Sequence, residues 1–191
     1  MRLRITPGAL LLLFVLLLQK NALLAVTVIA VLLHEAGHLL AAARLGIRIR
    51  TLELDLIGAQ IYPATLLPSY RAELLLALGG PLASFLLFLI TLPFGTDFMT
   101  LLGRTSLSLA LFNLLPVSGF DGGRMLFSLL AAPFGERIAT RAVAVTSYLS
   151  LLLLFLLSAC LLLRYGQNAA LALLSTSLFA RLFLPPSGRR Y

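Results

Sequence analysis

The chain has 191 residues, 60% of them hydrophobic, only 12% charged, and a formal net charge of +8. Soluble domains carry about 25% charged residues, so too little polar surface remains to cover a globule in water, and the chain is expected to be an integral membrane protein. The positive charge does not point to nucleic acid, because no basic run exceeds two residues and the arginines lie at the ends of apolar segments. The single cysteine, Cys160, excludes an internal disulfide.

In chain order, apolar segments near the ~20-residue length of a bilayer span fall at 3–19, 22–44, 73–93, 98–115, 137–163 and 168–184. Short polar hinges, such as Gln19-Lys20-Asn21 and Arg164-Tyr165-Gly166-Gln167, predict antiparallel helix pairs. The first segment, led by Arg2 and Arg4, also has the form of a signal peptide, but no clean A-x-A site follows it. With the N-terminus in the cytoplasm, 12 of the 15 basic residues fall on the cytoplasmic side, leaving Lys20, Arg104 and Arg164 outside. That bias predicts cytoplasmic N- and C-termini.

Residues 47–62, IRIRTLELDLIGAQIY, alternate apolar and polar, with a one-residue slip between Ile49 and Leu52. This is a strand period, and Gly58 is the expected turn of a small cytoplasmic-side β-hairpin between helices 2 and 3. Residues 113–124, NLLPVSGFDGGR, hold Pro116, Gly119, Gly122 and Gly123, through which no helix passes undisturbed. Irregular backbone at membrane depth survives only where protein or a water-filled cavity satisfies its amides, so a cavity is expected there. The expected fold is an all-α polytopic membrane protein of about six transmembrane helices with that hairpin. Residues 1–191 form a single domain, with a core at 22–130 and accessory helices at 1–20 and 137–184.

The only two histidines, His34 and His38, stand four apart in His34-Glu35-Ala36-Gly37-His38, an H-E-x-x-H pattern inside an apolar segment. On a helix, i and i+4 share a face, so both imidazoles can grip one ion, with Glu35 beside them. Ionisable groups inside a membrane are costly and mark function. A catalytic zinc has three protein ligands, and no third histidine exists. Among the seven acids, Glu53, Asp55 and Glu73 lie in or beside the hairpin, Asp97 in an outer hinge and Glu136 at a helix start. Asp121, in the glycine-flanked break, reads equally as a turn aspartate or a ligand. Topology favours the ligand, because the second and fourth spans run in the same direction and end at similar depth. Gly79-Gly80-Pro81 reads as a kink with close helix packing.

Three signatures in order, HEAGH at 34–38, GGP at 79–81 and NLLPVSGFDGG at 113–123, resemble the site-2 proteases, intramembrane zinc metalloproteases. Phe120 stands where leucine is usual, and Ser84 where asparagine is frequent. The resemblance covers residues 22–130. It is nearest the sporulation-type branch, and with the chain ending at PPSGRRY no CBS domain is expected. The resemblance implies one Zn²⁺ per chain on His34, His38 and Asp121, with Glu35 as general base. It also implies that Asn113 binds substrate or supports the oxyanion. The substrate would be a membrane protein with a transmembrane or membrane-associated segment, cut in the lipid bilayer of a bacterial or archaeal cell, with the active site toward the cytoplasm and no nucleic acid involved. The rival reading is a transporter or channel that uses the His/Glu/Asp cluster as an ion site.

Overall fold

The structure is a computed structural model that describes residues 2–5, 22–55, 58–63 and 69–165. These fall into two compact units, Met1–Leu114 and Leu115–Tyr191.

In the first unit, α1 (Ala22–Arg44), α2 (Tyr70–Thr91) and α3 (Asp97–Asn113) pack against one another. Helix α1 is built from Leu, Ala and Val, and it stops at Gly46, whose φ of +67° admits no ordinary side chain without strain. The amides of Gly46 and Ile47 turn back to the carbonyls of Ala43 and Ala42, the paired bonds of a Schellman end. Ser69 caps α2 by accepting from the Ala72 amide, and Thr96 caps α3 by accepting from Met99. Helices α1 and α2 touch backbone to backbone. A Cβ placed on Gly79 would lie 2.6 Å from the Gly37 carbonyl oxygen and 2.9 Å from the Ala41 Cβ. Small residues at such a crossing let apolar helices pack closely where no water drives them together. Val26, Ala30 and Leu102 form a buried apolar cluster.

A three-stranded sheet belongs to the same unit: β1 (Arg2–Ile5), β2 (Ile49–Asp55) and β3 (Gly58–Pro63), in that order. Strands β2 and β3 are antiparallel, with a register shift between Ile49 and Thr51, where the sequence alternation slips. Gly58 opens β3 and pairs with Asp55, at the end of the connection between the two strands. Strand β1 runs parallel to β2. This corrects the first expected span, because residues 3–5 form a strand. Arg2-Leu3-Arg4-Ile5 alternates with period two, and β2 offers an edge to pair with. The remainder of that span, and the sixth at 168–184, lie outside the described residues.

In the second unit, α4 (Asp121–Phe134) packs on α5 (Glu136–Tyr165). Helix α4, at 14 residues, rises only about 21 Å, less than a bilayer core. Gly135, at φ +83°, separates the two helices.

Among the described residues, three helical stretches are long and apolar enough to cross a membrane: Leu23–Arg44, Tyr70–Thr91 and Glu136–Leu161. Leu32, Ile90 and Leu153 are each more than 60% exposed, an arrangement suited to lipid contact.

Candidate metal centre

His34 and His38 lie one turn apart on the face of α1 turned to α2, and both are buried, at 3% and 4% exposure. Their rings meet edge to face with centroids 5.0 Å apart. Helix α2 takes hold of both through Nδ1. Ser84 Oγ lies 2.9 Å from Nδ1 of His34, and the Leu76 carbonyl oxygen 2.8 Å from Nδ1 of His38. The Gly80 amide also approaches this Nδ1, at 3.2 Å, but the carbonyl is the nearer partner and can only accept; with Nδ1–H directed to it, Nε2 keeps its lone pair. Such a bond fixes a metal-ligating imidazole in orientation and raises its basicity.

Gly80 explains where the two Nε2 atoms go. A Cβ there would collide with Nε2 of His38 and lie 2.6 Å from Nε2 of His34. Both nitrogens therefore converge over a bare Cα, and the ligand atoms of the pair lie within 4.8 Å of each other. Leu76, Gly80 and Ser84 follow one another at i, i+4 and i+8, one face of α2. Gly79 provides the close helix packing expected of Gly79-Gly80-Pro81, and Gly80 adds a role in this face. Its signal was the four-residue spacing of a carbonyl, a bare Cα and a hydroxyl opposite the histidine pair. Glu35 adjoins His34 on α1 and is half-buried.

In the second unit Asp121 is the first residue of α4, 7% exposed, with the Arg124 guanidinium 3.9 Å from its Oδ1. The turn before it is tightly folded. Phe120 donates to the Val117 carbonyl, Gly119 sits at φ +94°, and a Cβ on Gly123 would collide with the Val117 carbonyl oxygen. Asn113 ends α3 in the first unit, half-buried, and its Nδ2 donates to the Leu109 carbonyl at 3.1 Å. His34, His38 and Asp121 are all buried.

The donors suit zinc: two imidazoles on one face with their Nδ1 atoms engaged and Nε2 atoms convergent, and a buried carboxylate available in the same chain. Fold and histidine pair together define an apolar helical membrane protein carrying an H-E-x-x-H metal motif.

The model of peptidase family M50 matches residues 95–157. The chain is similar to "Zinc metalloprotease MJ0392" of Methanocaldococcus jannaschii, at 30% identity over 125 residues, 61% of this chain and 36% of that protein. It is similar also to "Putative zinc metalloprotease sll0528" of Synechocystis sp., at 36% over 110 residues, 53% of this chain and 29% of that one. The matches span about a third of the length of these curated relatives. In fold, it matches the site-2 protease from Methanocaldococcus jannaschii with a TM-score of 0.72 at 23% identity, covering 99% of this chain and 94% of that one. In sequence the chain is thus similar to zinc metalloproteases, and in fold to a site-2 protease. The chain is an integral membrane protein of that fold, and zinc is the metal that both relatives' names carry.

Proposed function

We propose that the chain is an intramembrane zinc metalloprotease, a single domain over 1–191, that hydrolyses peptide bonds within or next to transmembrane segments of membrane proteins. The observation that carries this reading is the convergence of the two histidine Nε2 atoms over Gly80 on a face adjoining Glu35. His34 and His38 supply two ligands. Asp121 supplies the third, supported by its burial and by ligand atoms of the three residues lying within 4.8 Å of one another. Zinc held there would polarise a scissile carbonyl and lower the pKa of water toward neutrality. Glu35 takes the proton of the attacking water and returns it to the leaving amine. Asn113 binds substrate or supports the oxyanion with whatever capacity its bond to Leu109 leaves. An extended substrate would pair with a strand edge of the 49–63 hairpin. Six spans are read from the six apolar segments, and cytoplasmic termini with a site toward the cytoplasm from the 12-to-3 charge bias. The transport reading of the same cluster is not favoured, because both curated relatives are named as zinc metalloproteases.

The test compares new N-termini in membranes expressing the wild type or Glu35→Gln. Termini present only with the wild type and mapping in or beside transmembrane segments support the reading. Identical profiles from folded, zinc-loaded proteins would overturn it.

A further inference from the structure

The sequence treats the helix after residue 137 as accessory, yet two of its side chains reach the turn that leads into Asp121. Ser147, fully buried on α5, donates its hydroxyl proton to the Val143 carbonyl at 2.6 Å. Its oxygen is thereby left to accept, and it receives the Ser118 amide at 2.8 Å. The neighbouring Thr146 does the reverse. Its hydroxyl donates to the Pro116 carbonyl at 2.9 Å, closer than its alternative acceptor, the Val143 carbonyl at 3.1 Å. One hydroxyl thus takes a donor of the turn, and the next satisfies an acceptor two residues earlier.

This pairing meets a physical need. Backbone that leaves the helix among apolar helices must find partners, and Pro116 and Ser118 lie outside any helix. From Ser118 the constraint passes to Asp121 in three residues. Val117 accepts from Phe120, and Gly123 packs its bare Cα against the same carbonyl, so the turn has little room to shift.

We propose that Thr146 and Ser147 are positioning residues for the metal centre, holding the 116–118 turn so that α4 begins with the Asp121 carboxylate in place. The proposal rests on the reading of Asp121 as a zinc ligand. It makes α5 part of the metal-binding apparatus and places a metal-site determinant about 25 residues beyond the ligand in sequence.

The experiment measures zinc retention by the full chain in detergent micelles against a competing chelator, alongside the thermal midpoint. Outer supports of metal ligands are worth about 10–100-fold in affinity. Thr146→Val keeps the side-chain shape and removes the hydroxyl; it and Ser147→Ala are expected to weaken zinc retention about tenfold. Thr146→Ser restores the hydroxyl and should return retention to near wild type. Ser158→Ala is the control, because Ser158 is equally buried on α5 and its hydroxyl bonds nothing among the described residues. It should bind zinc as the wild type does. Zinc loss in Ser158→Ala equal to that in Ser147→Ala would reduce the effect to a loosened helix and overturn the proposal. So would wild-type retention in Thr146→Val and Ser147→Ala when Asp121→Asn loses zinc. Undiminished retention in Asp121→Asn would instead overturn the ligand set on which the proposal rests.

Discussion

Ser84 Oγ stands 2.9 Å from Nδ1 of His34, fifty residues away in sequence, and its side chain is completely buried between α1 and α2. At this position the site-2 protease pattern often carries asparagine, and here a hydroxyl occupies hydrogen-bonding distance from the ring. Such a contact orients an imidazole without adding charge to an apolar bundle.

Ser84→Ala is therefore expected to weaken zinc retention by about 10–100-fold, with the chain still folded. Chelator competition on the purified protein measures it. Unchanged retention would mean that helix packing alone orients His34.

At Gly80 even a methyl group is too much, since it would meet Nε2 of both histidines. Gly80→Ala should cost about 1–3 kcal/mol of stability from overpacking and abolish stoichiometric zinc. Metal content by elemental analysis and a thermal scan test both halves. A zinc-replete Gly80→Ala chain would contradict the convergence of the two rings.

The crossing of α1 and α2 makes a different demand. A Cβ on Gly37 would overlap the Gly79 carbonyl and lie 2.6 Å from the Ala83 Cβ, so Gly37→Leu must drive the helices apart. The thermal midpoint should fall sharply, and zinc should be lost with it, because Ser84 and Leu76 reach the histidines only at this separation. A variant that kept both would show that the crossing is more compliant than its geometry.

Glu35→Gln separates binding from turnover. Zinc content should stay at one per chain, because Glu35 is not in the ligand set, and cleavage should fall at least about 100-fold, the usual scale for losing a general base. Retained cleavage would remove Glu35 from that role.

Gly123→Ala puts a methyl into the Val117 carbonyl, and the turn before Asp121 must open to admit it. A cost of about 1–3 kcal/mol is expected, together with weaker zinc retention. Gly119→Ala, at φ +94°, should lower stability by more than a surface glycine change. Thermal midpoints of the two variants, each with its metal content, decide whether strain in this turn reaches the metal.

Much of this is legible in the sequence. Membrane character followed from 60% hydrophobic content, because apolar surface on this scale cannot be covered in water. The histidine pair was legible because helical periodicity alone brings residues 34 and 38 to one face. The break at 114–120 was legible because proline and glycine interrupt helices by local geometry. Local chemistry also ended α1 at Gly46. The same reasoning failed for residues 3–5, where a partner strand outweighed apolar composition, and for α4, too short to register as a span.

What the sequence by itself determined is therefore whatever depends on composition and on neighbours within a turn or two: a lipid-compatible chain, an H-E-x-x-H helix and a broken helix before Asp121. What only the tertiary structure decided are the partners at long range. These are Ser84 and Leu76 on the two imidazoles, the bare Cα of Gly80 beneath them, and the hydroxyls of Thr146 and Ser147 on the turn. A serine or glycine is chemically ordinary wherever it occurs. It acquires a role only when packing brings a particular nitrogen, carbonyl or amide within about 3 Å, a distance that no local pattern encodes.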